Sequence, residues 1–562
     1  YGMAALYLGV DQVPLIDTDA YEGSVTATFV SRNSAATYFA IGLVGGAALL
    51  GERMEEAVRR GAGVSSSFEF VISVISSSGV YLLAAAFLLS GLLSTGSRAG
   101  SAAGLAGLLV VALASWRPLS FGRGRLIALL LVGAFLVGIA ELSSNLLVER
   151  LEEADPAADV RFPLYEDTLR MIADRPLLGH GAGAFADVYP LFQGAEVPAS
   201  VVWNRAHNSY LQAAAELGAP MLVLIVFIAA VCLWRIAQCA VTRPGSAPAA
   251  MAALGAFVIV ALHSLVDFSL QIQAVGLVFA AVAGAGYGEA SRLLAETRTA
   301  TSRKGGELRG SQVGLATTPG ARFARRVVLT LLAAGICVML FAAARLALVV
   351  SATPAELWLT ELAPFVAPAV QVDARTSARA EAISQLIADP ALTTARLRPC
   401  EDRRTAARAE GDGDVEAFQE ATRACLDIVD VALGANPLSG ELWLHRTRLL
   451  FQLGTFGPEL LQSLQRSYET SPRVGWIAAD RVILGLQVYR FLPDHLRDQV
   501  RQDIELVLAA PHLADRLIAA FVANESFRRM VLPVVETLGP DAQDAFVSLV
   551  RDRIKSDASR PQ

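Results

Sequence analysis

Apolar residues run in long blocks through most of the first 350 positions and recur at helical spacing after that. A helix needs about 20 mostly apolar residues to cross the hydrocarbon core of a bilayer. Eight blocks reach or approach that length, near 33–51, 72–94, 101–116, 124–142, 219–240, 249–268, 273–290 and 327–350. The third is short, and the second opens on Ser76, Ser77 and Ser78. The pattern predicts an all-α, polytopic helical membrane protein. Beyond position 350 the periodicity predicts amphipathic helices over 414–433, 439–453, 457–470, 474–489 and 496–509, separated by Pro or Gly. The stretch from Asn436-Pro437 to Trp443, with Leu449, Leu450 and Gly454, has tetratricopeptide-like character. The spacing fixes no repeat, and an irregular helical domain fits equally well.

Arginine placement orients the spans. Arg53, Arg59 and Arg60 lie between the first two, Arg117, Arg123 and Arg125 between the third and fourth, and Arg235 and Arg243 between the fifth and sixth. The linker before the eighth carries Arg292, Arg298, Arg303, Lys304, Arg309, Arg322, Arg325 and Arg326. If the spans alternate, all four groups fall on one side, which the positive-inside rule makes cytoplasmic. The expected organisation is an outer lead-in over 1–32, four helices over 33–142, an outer loop over 143–218 and three helices over 219–290. A basic cytoplasmic linker over 291–326, an eighth helix over 327–350 and an outer helical domain over 351–562 complete it. The chain opens on Tyr1 rather than Met, so its front is expected to be incomplete and the number of preceding helices is open. No basic stretch followed by an apolar core marks a signal peptide.

Composition agrees with the pattern. Of 562 residues 54% are hydrophobic and only 18% charged, against about 25% charged in soluble domains. The net charge of −6 argues against a nucleic-acid partner, which would want a basic face. Lys304 and Lys555 are the only lysines, which disfavours Schiff-base chemistry. The five cysteines form no C-x-x-C pair, so no zinc or thioredoxin-like site is signalled. Cys232, Cys239 and Cys337 fall in or beside apolar runs, whereas Cys400 and Cys425 lie in the polar tail and can pair if it faces an oxidising compartment.

The chemistry-bearing motifs gather around the outer loop. Phe29-Val-Ser-Arg32-Asn33 precedes the first span, and Ser94-Thr-Gly-Ser-Arg98-Ala-Gly100 stands between the second and third. The loop carries Arg161 through Arg170, then Asp174-Arg-Pro-Leu-Leu-Gly179-His180-Gly181-Ala-Gly183-Ala-Phe185. Arg205-Ala-His207-Asn208-Ser-Tyr210-Leu-Gln212 follows, running on to Glu216-Leu-Gly218, and His263-Ser-Leu-Val-Asp267-Phe268 closes the set.

In this order the segments resemble the O-antigen ligase and polymerase family of integral-membrane glycosyltransferases, over roughly residues 25–290. The resemblance implies a multi-pass protein of the bacterial inner membrane, with its catalytic loop and C-terminal domain on the periplasmic side. It implies a polyprenyl-diphosphate-linked glycan donor and a glycan, lipid or protein acceptor, with an essential histidine and arginines in the large outer loop. Ligase and polymerase remain alternatives, and the helical tail favours polymerase because such domains dock envelope-assembly proteins. His180 and Met221 depart from the family pattern, the first bearing on the acceptor pocket.

Physical chemistry supports the same roles independently. A lipid diphosphate is already a good leaving group, so the enzyme must hold two phosphates and take a proton from an acceptor hydroxyl. Arginine suits the first task through its bidentate fork. A neutral histidine suits the second, a positioned base contributing about 10²–10⁴-fold. The expected catalytic residues are His207, Arg161 and Arg98, with Arg32, Asn33, Gly179, Gly181, Gly183, Asn208, Tyr210 and Gln212 at the substrate. Neither cofactor nor metal is expected. Bland alternatives accompany each. Arg161 can pair with Glu166 or Asp167, Arg98 can snorkel, Arg32 can anchor the interface, and the glycines can form a tight turn without touching phosphate. Asp17-Thr-Asp19 has metal-site spacing without a nucleotide-binding pattern beside it, and Asp412 and Asp414 lack the other ligands of a calcium loop. His263 and Asp267, four apart, suit hydrogen-bonded packing better than a proton relay. A transporter, which would want broken helices in matching halves, and a non-catalytic scaffold are the competing classes.

Overall fold

The computed structural model describes residues 1, 2, 4, 23–60, 67–115, 160–242, 246–306, 344, 347, 348, 351–353, 372–384, 390–409 and 415–559. Among these every regular element is a helix. Residues 1–185 with 205–314 form one compact unit, and 186–204 with 315–562 form a second. The expected span at 124–142, most of that at 327–350, and the aspartates at 17, 19, 412 and 414 lie outside the described residues.

The helices of the first unit are α1 (Arg32–Arg60), α2 (Ser67–Ser94), α3 (Arg98–Ser115), α4 (Arg161–Asp174), α5 (Phe185–Val188, at its edge), α6 (Ser209–Leu217), α7 (Ala219–Thr242), α8 (Pro248–His263) and α9 (Gln273–Gly306). Arg32–Arg53, Ala219–Thr242 and Gln273–Glu296 are long and apolar enough to cross a membrane. Ser78–Ser94, Arg98–Ala114 and Pro248–His263 are apolar but shorter. Helices α1, α2, α3 and α8 pack around Ala40, Val44, Leu92, Ala103 and Ile259. Lipid offers little hydrophobic drive between helices, so small residues that let backbones approach must supply the packing. A Cβ on Gly107 would stand 2.6 Å from Ile259, and one on Gly255 would stand 2.8 Å from Val111. Helix α7 is the opposite case, with Val223, Phe227 and Trp234 exposed along an apolar surface suited to acyl chains.

Two elements depart from the apolar pattern. The block at 249–268 stops being helical at His263 and turns through 264–268 into a 3₁₀ turn at Ser269–Gln271. The cause is Asp267, which accepts from the Ser269 N–H at 2.8 Å and from Asn33 Nδ2 at 2.9 Å, drawing the chain out of register. The block at 273–290 continues as helix to Gly306, its polar extension carrying an Arg292–Glu296 pair at 3.0 Å.

In the second unit the helices are α10 (Ala374–Ser384), α11 (Pro390–Ala409), α12 (Val415–Ala435), α13 (Gly440–Gln452), α14 (Pro458–Thr470), α15 (Gly475–Val488), α16 (Asp494–Leu508), α17 (Pro511–Ala523), α18 (Glu525–Val535) and α19 (Pro540–Ser559). Successive helices pair, and the core runs through Leu464, Val482, Val500, Ile504, Ala514 and Val531. Cys400 and Cys425 form a disulfide between α11 and α12, their Cα atoms 5.7 Å apart. At the centre lies Arg481, fully buried. Its Nε and Nη2 donate to Asp503 at 2.7 and 2.9 Å, its Nη1 donates to the carbonyls of Ser467 and Ser471, and it stacks on Tyr468 at 3.9 Å.

Candidate active site

The turn after α8 gathers the polar residues of the first unit. Asn33, in the first turn of α1, donates to Asp267 and accepts from Ser97 Oγ at 2.7 Å. Ser97 in turn caps α3 by accepting the Gly100 N–H at 3.2 Å. Thr37, one turn along α1 from Asn33, lies 2.6 Å from His263 Nδ1. Gly100 is required here, because a Cβ would meet Ala36 at 2.6 Å and crowd the His263 ring. The Ser94–Gly100 segment therefore brings the start of α3 against the start of α1 and the 264–268 turn.

His207 joins this assembly from the loop. Its ring packs edge-on against Phe268, centroids 5.0 Å apart. Its backbone is left-handed, with φ of 50°, a conformation that costs a non-glycine residue about 1–2 kcal/mol and collects at functional sites. The bonds on either side hold it there. The Tyr165 hydroxyl, from α4, donates to the His207 carbonyl at 3.0 Å. Asn208 caps α6, accepting from the N–H groups of Tyr210 and Leu211 at 3.0 Å, and its Nδ2 donates to the Leu265 carbonyl at 2.8 Å. The Ser209 N–H and hydroxyl bond the carbonyls of Ser264 and Asp267. Tyr210 donates to the Ala261 carbonyl at 3.0 Å, and burial raises its phenol above the usual value, which keeps that proton in place.

The glycine segment closes on the other end of α6. Gly179, Gly181 and Gly183 all have positive φ. A Cβ on Gly179 would lie 2.4 Å from the Glu216 backbone, and one on Gly218 would lie 2.2 Å from the Leu177 carbonyl oxygen. The N–H of Gly181 donates to the Glu216 carbonyl, and those of Gly183 and Phe185 donate to its carboxylate at 3.0 and 3.3 Å. These donors are spent on Glu216, so the segment is a tight turn docked on α6. Gln212 is likewise occupied, accepting from Ala206 N and Gln271 Nε2 and donating to Glu216. Asn33, Asn208, Tyr210, Gln212 and the three glycines, which the motif pattern expects at the substrate, also shape the site from within the fold. His180 packs under α4 with Nε2 3.0 Å from the Met171 carbonyl, and Met221 is 45% exposed on α7, so both family departures are accommodated.

The arginines show a shared anomaly. Arg32, Arg98 and Arg161 are each the first residue of a helix, and none of α1, α3 and α4 has an acid in its first turn. The positive end of a helix dipole disfavours cations by about 0.3–1 kcal/mol and attracts anions. Two of the starts meet, since Asn33 beside Arg32 and Ser97 beside Arg98 are bonded to each other, and the first turn of α4 reaches the same region through Tyr165, whose hydroxyl lies 3.0 Å from the His207 carbonyl and 3.4 Å from the Leu265 carbonyl. Glu166 and Asp167 both pair with Arg170.

Residues 83–226 match the family profile described as O-antigen ligase. Over this segment the chain is similar to the O-antigen ligase family. The match runs from α2 into α7 and includes Arg98, Arg161, the glycine turn and His207. No curated protein and no solved structure matches the chain. The match supports, in general terms, a membrane glycosyltransferase of the O-antigen ligase and polymerase type. The positions that motif reasoning passed over are Tyr165 and Glu216; their signal was spacing, one turn after Arg161 and two turns into α6.

Proposed function

We propose that this O-antigen ligase family member transfers a glycan from a polyprenyl-diphosphate donor to an acceptor hydroxyl, with His207 as general base and Arg98 and Arg161 on the diphosphate. In the step, His207 takes the hydroxyl proton as the acceptor oxygen bonds to the anomeric carbon. The bond from that carbon to the phosphate oxygen breaks, and the polyprenyl diphosphate leaves with the electron pair. The observation that carries the reading is the set of three helix starts, each headed by arginine, drawn together at the turn that also seats a strained His207. Helix dipoles and guanidinium groups that oppose each other in an empty fold become allies around four phosphate oxygens. Arg32 adds a third charge at the same end.

The outer loop and the tail are read as periplasmic. The disulfide between Cys400 and Cys425 suits an oxidising compartment, and the folding of loop residues 186–204 as part of the tail unit supports reading loop and tail on the same side.

Transfer of lipid-linked glycan by purified protein tests the mechanism. His207→Ala should abolish transfer while retaining donor binding. Arg98→Ala and Arg161→Ala should weaken donor binding, with lysine rescuing poorly because the fork is lost, and a chelator should leave activity unchanged. Near-normal turnover by His207→Ala, or loss with chelator and return with a divalent cation, overturns it. Alkaline phosphatase fused after the tail should be active, and an inactive fusion overturns the topology.

A further inference from the structure

The second unit is not built from the tail alone. Residues 186–204 leave the loop after Phe185, fold into that unit, and rejoin the first at Arg205, two residues before His207. Within the second unit this segment is anchored as part of a core. Tyr189 is 1% exposed and Val197 fully buried, and the 3₁₀ turn at Tyr189–Leu191 lies against α14. Two specific bonds hold it. Asn436 Nδ2, in the turn between α12 and α13, donates to Asp187 Oδ1 at 3.0 Å. The N–H of Gly475, the first residue of α15, donates to the Ala199 carbonyl at 2.9 Å. That N–H is one of the orphan donors at a helix start, and only glycine permits the approach, since a Cβ would stand 2.5 Å from the Ala199 oxygen. The segment is braced internally, with Trp203 Nε1 donating to the Pro198 carbonyl at 3.1 Å.

We propose that the C-terminal helical unit serves the transfer reaction by clasping residues 186–204, so that Asp187, Asn436 and Gly475 are positioning residues that fix where the chain re-enters before His207. The inference rests on the catalytic reading of His207. The strained backbone at His207 needs both flanks held. The flank after it, Asn208 and α6, is secured inside the first unit, and the flank before it is held there by the Ala206 N–H bond to Gln212 at 3.2 Å, beyond which Arg205 connects directly to the clasped segment.

The test uses the full-length protein in lipid nanodiscs. Asn436→Asp sets a second carboxylate against Asp187, and adding Asp187→Asn restores an amide–carboxylate pair with the partners exchanged. A small misplacement of a reacting group costs up to about 10²-fold. Asn436→Asp should therefore lower kcat about ten-fold with donor KM little changed, the double variant should recover most of it, and Gly475→Val should lose more. Limited proteolysis reads the clasp separately: cleavage within 186–204 should rise in Asn436→Asp and Gly475→Val and fall again in the double variant. Cleavage that is equal in all variants overturns the clasp. Cleavage that rises while kcat stays at the parent level overturns its role in transfer. An active His207→Ala overturns the catalytic reading instead, and the proteolysis pattern still reports on the clasp.

Discussion

The two units bury polar groups for opposite purposes. In the first, Asn33, Ser97, Thr37, His263 and Asp267 sit together at one end of an otherwise apolar helix packing held by small residues, and their bonds define a turn beside His207. In the second, Arg481 and Asp503 lie at the centre of amphipathic helices and tie α14, α15 and α16 together. Charge is tolerated in the tail core because every donor of Arg481 finds an acceptor. In the first unit, arginines stand at the starts of α1, α3 and α4, where the helix dipole favours an anion. Buried polarity alone does not mark a site; on the proposed reading, arginines at helix starts beside strained backbone do.

Removing one half of the tail pair should give the largest effect on the comparison. Arg481→Met leaves Asp503 buried without a counter-charge and should cost about 3–5 kcal/mol. Chemical unfolding of the tail in the intact protein measures it, and adding Asp503→Leu should return most of the loss. If the single variant unfolds at the parent denaturant midpoint, the pair is not a structural keystone. Next, Cys400 and Cys425 are 25 residues apart, and a loop of that size is worth about 3.5 kcal/mol on the chain-entropy account. Mass mapping of non-reduced peptides should find the bond, and Cys400→Ala should lower the unfolding midpoint of the tail alone.

A smaller effect tests the first unit. Gly255→Val forces a side chain into Val111 and Val44, and overpacking of this kind costs about 1–3 kcal/mol. It should lower transfer and detergent stability while leaving the tail's unfolding midpoint unchanged; a shift in the tail would break the division into two units. The smallest effect is a pH response. Burial alone would raise the Glu401 carboxyl, but hydrogen bonds from His445 and Arg404 outweigh it and hold it down to about 2 from an ordinary 4.5. A depressed carboxyl stabilises the fold above its ordinary value, and that stability fades as pH falls from about 4.5 towards 2. Tail stability should drop across this window, and Glu401→Gln should remove the drop.

The helices were legible because hydropathy and period are local properties. The apolar blocks matched α1, α7 and α9, and the tail helices fell within a few residues of the periodic stretches. The end of α8 at His263 was not legible, since Ser264-Leu-Val-Asp267-Phe268 reads as a continuing apolar run until Asn33 is brought beside Asp267. The site divides the same way. Histidine and arginine in the loop suggested phosphate and proton chemistry by residue type, and Asn208, Gln212, Gly179, Gly181 and Gly183 were expected at the substrate. What residue type did not show is that Asn208, Gln212, Gly181 and Gly183 also bond within the fold, to Leu265, Gln271 and Glu216.

By itself the sequence determined that this chain is helical, with apolar helices that fit a membrane and a polar tail, and it put forward His207 and a few arginines as candidates for its chemistry. Those properties belong to single residues or to short windows, and water, lipid and helical period read them without knowing the fold. Only the tertiary structure decided that Arg32, Arg98 and Arg161 stand at converging helix starts, that Cys400 faces Cys425, and that residues 186–204 are part of the tail unit rather than of the loop. These are pairings between residues distant in the chain. Their free energy comes from hydrogen bonds and close packing that exist only once both partners are in place, so no local pattern carries them.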